Sequence, residues 1–290
     1  IDNFLRNELP GVPKGRIYRL LRRGEVGVNG GRMKPQYKLR EGDEVRIPPA
    51  RVDAGGPVPP AKQAAAVLDH VLYEDKRLLV IDKPAGLAVH GGSGIDFGVI
   101  ELLRHARPDL KELALVHRID RETSGCLVMA KRRSALRELH ERFREGQVEK
   151  SYLALVVGDW QYGEQVIDVP LLVTNRKGGE RHVVVSNRGK EAQTRVRLSR
   201  TYGIYSLLQC APRTGRTHQI RVHAQHAGFP LLGDSKYASE NAEALAAQLG
   251  LKRLFLHAAS LRFPWGDPAR PLTIEAPLDD ELNRELERLG

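Results

Sequence analysis

Between Pro48 and Ala66, 13 of 19 residues are proline, glycine or alanine. Proline lacks the amide hydrogen that helices and sheet ladders need, and glycine loses the most backbone freedom when ordered. Such a stretch therefore interrupts periodic structure. It divides the 290-residue chain into a short unit over 1–50, a linker over 51–68 and a larger unit over 69–290. An apolar content of 41% in a chain of this length supports a packed core without disulfides or metals. The two cysteines, Cys126 and Cys210, form no CxxC pair. That removes a disulfide scaffold and a Cys-rich zinc module, and points to a reducing, cytoplasmic setting. No run approaches the roughly 20 apolar residues of a membrane helix. No signal-peptide pattern opens the chain, and its first residue is Ile1 rather than Met, so native residues are expected to precede it.

In the short unit, Phe4, Leu5 and Leu9 space a helix that stops at Pro10-Gly11. Over Lys14 to Arg23, Ile17, Leu20 and Leu21 share one face, while Lys14, Arg16, Arg19, Arg22 and Arg23 take the other. Gly24 follows where a helix C-cap favours glycine. Asn29-Gly30-Gly31 and Glu41-Gly42-Asp43 are turns, and a short strand covers 44–47. The formal charge of the whole chain is +10, and residues 14–40 alone hold nine basic side chains and one acidic one. A basic face this dense fits a polyanion, with RNA or DNA ahead of a membrane. A merely solvated helix face has the same composition.

The larger unit mixes both periodicities. Strands are expected over 78–81, 114–117, 126–130, 152–157, 182–186, 194–198 and 205–210. Helices are expected over 99–106, 133–145, 217–227 and 279–289. Neighbouring strands with scattered helices give an α+β class with a mostly antiparallel sheet. Between two of the strands lies the densest polar cluster, His117-Arg118-Ile119-Asp120-Arg121-Glu122-Thr123-Ser124-Gly125. A short loop between buried strands holds a reactive group rigidly. Flanking cations favour the ionised form of Asp120, which suits a nucleophile or base. Composition by itself favours a structural ion pair in a turn.

A second cluster runs from Thr214 to His223, with Thr217 as a candidate helix N-cap and His218 and Arg221 three apart on one face. His218, His223 and His226 fit no metal-ligand spacing, so no metal site is expected. Gly91-Gly92-Ser93-Gly94 lacks the Lys-Ser/Thr ending of a phosphate loop, and Thr123-Ser124-Gly125 lacks a hydrolase elbow. Tyr152, at a strand start, suits a core position as readily as a functional one.

Residues 117–125, HRIDRETSG, resemble the HRLDxxTSG motif of the RluA family of pseudouridine synthases, with Ile119 in place of Leu. Lys83 to His90 resembles the family's KPxGxxVH segment, Lys150 to Ala154 its KxYxA segment, Gly215 to His223 its GRTHQIRVH segment, and Leu254 to Ala258 its apolar RLxLHA segment, with Arg253 just before. Residues 2–47 resemble an S4 RNA-binding domain, through the helix pair, GxVxVNG at 24–30, Lys34-Pro35 and Gly42-Asp43. The resemblance spans nearly the whole chain apart from the linker. Its wording is nearest to the branch that acts at several uridines of 23S ribosomal RNA.

The resemblance implies a pseudouridine synthase fold with a central, mostly antiparallel mixed sheet and a cleft along it, preceded by a small S4-like domain of the αL type. It implies an isomerase that breaks the N1–C1′ bond of a flipped uridine and rejoins the base through C5. No atom is gained or lost, so no cofactor is implied. Asp120 is then the catalytic carboxylate, Arg221 its ion-pair partner, Tyr152 the ring under the base and a proton acceptor at C5, Arg118 the filler of the vacated stack, and Leu256 an apolar wall. Arg121 and Arg216 are expected to join Arg118 and Arg221 along the cleft. Lys14, Arg16, Arg19, Arg22, Arg23 and Lys34 are implied RNA contacts. The implied partner is 23S rRNA, with no membrane and a monomeric enzyme. Two other readings stand beside this one. A non-catalytic S4-type RNA-binding or ribosome-assembly protein would use the same basic segment. An Asp-dependent glycosidase would need a second carboxylate, for which Glu122 is a weak candidate.

Overall fold

The computed structural model describes residues 1–9, 12, 14–48, 58–92, 95–175 and 181–290, and the chain divides into Ile1–Val58 and Pro59–Gly290. The expected Pro10-Gly11 stop, residues 51–57 of the expected linker, and Ser93-Gly94 lie outside the described residues.

In the first unit, α1 (Asp2–Glu8) and α2 (Lys14–Arg23) pack on a small sheet of β1 (Gly27–Val28), β2 (Gly31–Arg32) and β3 (Val45–Arg46), ordered β2-β1-β3. Leu5, Ile17, Leu21, Val26 and Val28 form its core. The 3.6-residue period puts Ile17 and Leu21 inward and leaves Arg16, Arg19, Arg22 and Arg23 exposed. Between β1 and β2 the chain reverses over Asn29 and Gly30, both at positive φ (50° and 76°), as a two-residue hairpin turn requires.

Residues 61–70, of which composition assigns 61–68 to the linker, are helical. They form α3 (Ala61–Ala66) and a 3-10 turn over Val67–His70, with Ala64 and Val67 buried in the core beside α4 (Val99–Ala106). Alanine is the strongest helix former, and proline is tolerated just ahead of a helix, so Pro59-Pro60 before an alanine run marks a helix start.

The second unit is built on β4 (Val71–Glu74), β5 (Leu78–Lys83), β6 (Ala114–Leu115), β7 (Ser124–Ala130), β8 (Glu149–Val157), β9 (Gln165–Asp168), β12 (Gln193–Tyr202), β13 (Tyr205–Pro212), β14 (Leu256–Trp265) and β15 (Asp267–Glu275). They make one sheet ordered β4-β5-β7-β14-β8-β13-β12-β9, with β15 on β14 and β6 on β7. The pairings are antiparallel except β7–β14. A separate hairpin, β10 (Leu171–Asn175) with β11 (Arg181–Val185), is inserted between β9 and β12. The class is thus α+β with a mostly antiparallel mixed sheet.

Helices cover both faces. Side chains alternate along a strand, so Leu79, Ile81, Leu127 and Met129 meet α4, while Leu78, Val80 and Val128 meet Ala135 and Leu139 of α5 (Arg133–Arg144). On the other half, Val196, Leu208 and Ala154 pack on Ile220 and Ala224 of α6 (Gln219–His226). Leu155, Leu207 and Phe255 pack with residues of α7 (Glu240–Leu249) and α8 (Asp280–Leu289). Among the described residues no helix is long and apolar enough to cross a membrane.

The parallel seam pairs His257 with Ser124 and Ala258 with Gly125. Gly125 has φ +106°, and a Cβ there would lie 2.3 Å from the Ala258 carbonyl oxygen. Both the backbone conformation and the space demand glycine. Gly125→Ala is expected to destabilise the protein by more than about 2 kcal/mol, read as a lowered urea midpoint. A midpoint equal to that of the unsubstituted chain would mean the strands separate there at no cost.

Candidate active site

Where β7 meets β14 and β8, a cleft of about 530 Å³ opens. The loop before β7 brings Arg118 and Asp120, β8 brings Tyr152, the first residue of β14 brings Leu256, and α6 brings Arg221, all of which line it. Six cations line the cleft (Arg118, Arg144, Lys150, Arg213, Arg216, Arg221), and Asp120 is the one carboxylate among the described lining residues. Arg121 does not join them. Its Nε donates to the Gly86 carbonyl at 2.8 Å, from the turn that follows Asp120. Glu122 does not line the cleft either and pairs with Arg121 at 3.6 Å.

Arg221 is buried, and its guanidinium is committed to Asp234, with Nε to Oδ2 at 2.7 Å and Nη2 to Oδ1 at 2.5 Å. This corrects the expected Arg221–Asp120 pair. A desolvated guanidinium needs a two-pronged partner at close range, and Asp234, itself buried, supplies both oxygens. Asp120 still acts on Arg221 through its field. The guanidinium also lies 5.0 Å from the centre of the Tyr237 ring.

Tyr237 contacts a second group. Its oxygen accepts the Val183 amide at 3.0 Å and lies in hydrogen-bond contact with His218 Nδ1 at 2.6 Å. Burial, with Arg221 and Lys236 nearby, pushes His218 down to about 4, against the opposing pull of Asp120. His218 has φ +52° and caps α6, which starts at Gln219. This displaces the expected cap, Thr217. Gln219 ties the turn before the helix. Its Oε1 accepts from Thr214 Oγ1 and the Arg216 amide, and its Nε2 donates to the Gln193 carbonyl and Thr194 Oγ1. His223, weighed above as a metal ligand, spends its ring nitrogens on Thr194 Oγ1 (2.9 Å) and the Val169 carbonyl (3.1 Å).

The loop bearing Asp120 is held from both ends. His117 Nε2 accepts the Val128 amide at 3.1 Å, and its ring stacks on Phe143. Burial pushes that imidazole down to about 3, so it is a neutral strut. Lys83, fully buried, gives its three N–H bonds to the carbonyls of Pro84, Leu87 and Arg121 at 2.8, 2.8 and 3.0 Å. Burial lowers Lys83 to about 7, while Glu122 and Asp120 pull the other way. Burial raises the Tyr152 phenol, and Asp120 adds to it. Tyr152 therefore offers a neutral ring and hydroxyl, and the expected role as a proton acceptor would require a phenolate that this site disfavours.

Asp234, Tyr237 and Lys83 escaped sequence reasoning as site residues, and His218 was weighed there only as a neighbour of Arg221 and a metal ligand. Of the first three, only Lys83, lysine beside an apolar strand, carried a local signal. Lys14, Arg16, Arg19, Arg22, Arg23 and Lys34 belong to the first unit. Of these, Arg16, Arg19, Arg22, Arg23 and Lys34 are exposed.

The model of a family described as RNA pseudouridylate synthase matches residues 77–226, and that of the S4 domain matches residues 1–45. "Ribosomal large subunit pseudouridine synthase C" of Escherichia coli (strain K12) is 52% identical over 294 residues, covering 100% of this chain and 92% of the relative. The protein of the same name from Pasteurella multocida (strain Pm70) is 52% identical, covering 99% and 89%. Among solved structures, human RNA Pseudouridylate Synthase Domain Containing 4 is similar, with a TM-score of 0.66 and 29% identity, over 79% of this chain and 96% of that one.

Removing one partner of a buried ion pair leaves an uncompensated charge. Asp234→Asn keeps a side chain of the same shape but strands the Arg221 guanidinium, at an expected cost of about 3–5 kcal/mol in urea unfolding. A cost below about 0.5 kcal/mol, the size of an ordinary surface change, would show that Arg221 does not depend on Asp234.

Proposed function

The chain belongs to the RNA pseudouridylate synthase family, and from that premise we propose that it isomerises several specific uridines of large-subunit (23S) ribosomal RNA to pseudouridine, as a cytoplasmic monomer. The observation that carries the reading is the single carboxylate, Asp120, among the described lining residues of a cleft that also holds six cations and the rings of Tyr152 and Phe143. A glycosidase of the usual kind needs two carboxylates across the bond it breaks, and Glu122 is turned away from the cleft. An RNA-binding protein without activity gains nothing from a carboxylate that repels phosphate.

The reaction cleaves N1–C1′, rotates the uracil and closes a C5–C1′ bond, and the proton leaving C5 balances the one gained at N1. The uridine must first leave its stack, which costs a few kcal/mol, least in a loop or bulge. The cations of the cleft draw the phosphates in, and exposed Arg118 is placed to stack where the base has left. Tyr152 and Leu256 give the extruded uracil an aromatic face and an apolar wall. Asp120 starts cleavage by attack on the sugar, by attack on the base or by taking a sugar proton. Arg221, locked by Asp234, contributes a fixed positive charge that is coupled to Asp120. His218 adds a neutral imidazole.

Asp120→Asn is expected to abolish tritium release from large-subunit rRNA labelled at uridine C5 while leaving RNA binding in place. Substantial release by this variant would remove Asp120 from the chemistry. Basic residues of the S4 unit are proposed to hold phosphates, which makes affinity depend on salt. Replacing Arg19, Arg22 and Arg23 together by Gln is expected to flatten the plot of log K against log salt by about one unit per lost phosphate contact. An unchanged slope would place the phosphate contacts elsewhere.

A further inference from the structure

The central sheet has a second concavity, larger than the cleft, at about 670 Å³. Its origin lies in a change of residue type along one sheet face. On that face Leu155, Leu207 and Tyr202 are apolar and covered by the α7 and α8 layer. Further along the same strands the face turns polar: Ser151 and Glu149 on β8, Gln209 on β13, Arg197 and Arg195 on β12, and Arg262 on β14. No helix residue lies among the groove's described lining. The opposite face at the same level is apolar and covered by α6, through Val196, Leu208 and Cys210.

The polar face is built across strands. Arg197 stands opposite Gln209 in register, and its Nε donates to Gln209 Oε1 at 2.7 Å. Gln209 Nε2 then donates to Ser151 Oγ at 2.7 Å, and Ser151 stands opposite Ser260. These bonds hold Arg197 upright and leave the rest of its fork unspent. Five cations line the groove (Lys150, Arg195, Arg197, Arg213, Arg262) against two carboxylates, Glu149 and Glu164. The carboxylates sit beside exposed arginines at 3.4 and 3.7 Å, where ion pairs are weak and readily exchanged for another anion.

Lys150, Pro212 and Arg213 line both this groove and the catalytic cleft, so the two are continuous. Among the described residues Lys150 makes one hydrogen bond, Nζ to the Thr214 carbonyl at 3.1 Å, and an ammonium has three to give. Burial lowers it to about 8, and an anion beside it would reverse that.

We propose that this groove is the track for the RNA strand flanking the target uridine, with Arg195, Arg197 and Arg262 holding its phosphates and Lys150 and Arg213 the phosphate at the entrance to the cleft. The proposal rests on reading the chain as an enzyme of RNA. A sheet face with this charge and no apolar centre suits a phosphate backbone. A protein partner would want an aromatic or aliphatic anchor there; Val148 is buried in the core beneath, and Pro212 and Ala211 offer none of size.

The test is a triple variant of the full chain, Arg195→Gln, Arg197→Gln and Arg262→Gln. A control triple, Arg132→Gln, Arg137→Gln and Arg284→Gln, removes the same charge outside both clefts. The probe is a large-subunit rRNA transcript labelled at uridine C5, read by binding at several salt concentrations and by tritium release. The groove triple is expected to lower the slope of log K against log salt by about two to three units and to weaken binding on the order of tenfold or more at physiological salt, with a matching rise in KM. The corresponding Arg→Lys triple, which keeps the charge, is expected to restore most of both. A groove triple that matches the control in slope and KM overturns the proposal, as does a loss that the lysine triple does not recover. Tritium release by the unsubstituted chain tests the isomerase reading separately, since the salt slopes compare binding whether or not turnover occurs.

Discussion

The two halves of the central sheet meet along a parallel seam only two residue pairs long, His257 with Ser124 and Ala258 with Gly125. Every distance in the cleft is set there. Asp120 lies on the loop that enters β7, Leu256 opens β14, and Tyr152 stands on β8, which pairs with β14 on its other side. A parallel pairing cannot be closed by a hairpin and needs a long crossover. Residues 131–255 supply it, and they include β8, β12, β13 and α6, the elements that carry the rest of the cleft. The seam is reinforced from below. Ser124 Oγ meets His257 Nδ1 at 2.8 Å and receives Arg253 Nη2 at 2.7 Å, and Arg253 is also paired with Asp279.

Around that seam two buried cations, Lys83 and Arg221, are held by fixed partners of the protein. Lys83 meets three carbonyls, one of them Arg121's, immediately after Asp120 in the chain. Arg221 meets both oxygens of Asp234, whose Oδ1 also receives the amides of Lys236 and Tyr237. A buried ion is costly unless every donor finds a partner, so these groups tolerate little displacement. That rigidity transfers to the loop carrying Asp120 and to the face of α6. Both are thereby held in place before RNA arrives.

Sequence made the local parts of this legible and left the long-range parts hidden. The amphipathic period of Lys14 to Arg23 gave α2 to the residue, and the HRIDRETSG cluster between apolar runs located the loop of Asp120. Residues 61–68 were misassigned because alanine serves both linkers and helices, and the difference is whether Ala64 and Val67 find a core. The strand β14 was missed: Leu261, Phe263 and Trp265 alternate with Arg262 and Pro264, but Leu256, His257 and Ala258 are buried in succession, so its first half shows no period of two. Without β14 the seam is invisible, and so is the position of Leu256. The partner of Arg221 was misjudged for a related reason. Asp234 is 13 residues away in a turn, and nothing in its neighbours marks it as buried.

Histidine is the side chain that would ordinarily make such a site sensitive near neutral pH, yet burial lowers both histidines of the cleft, His117 to about 3 and His218 to about 4. The positive field of the cleft therefore comes chiefly from arginines, which do not titrate. This division of labour suits an isomerisation. The reaction consumes no net proton, so a site gains nothing from a switch near pH 7. It does gain from fixed charges that attract phosphates at every working pH. A neutral His218 adds no cation that would compete with Arg221 for Asp120. The hairpin of β10 and β11, which looks peripheral in the topology, reaches this imidazole through two hydrogen bonds, from the Val183 amide to the Tyr237 oxygen and between that oxygen and His218 Nδ1.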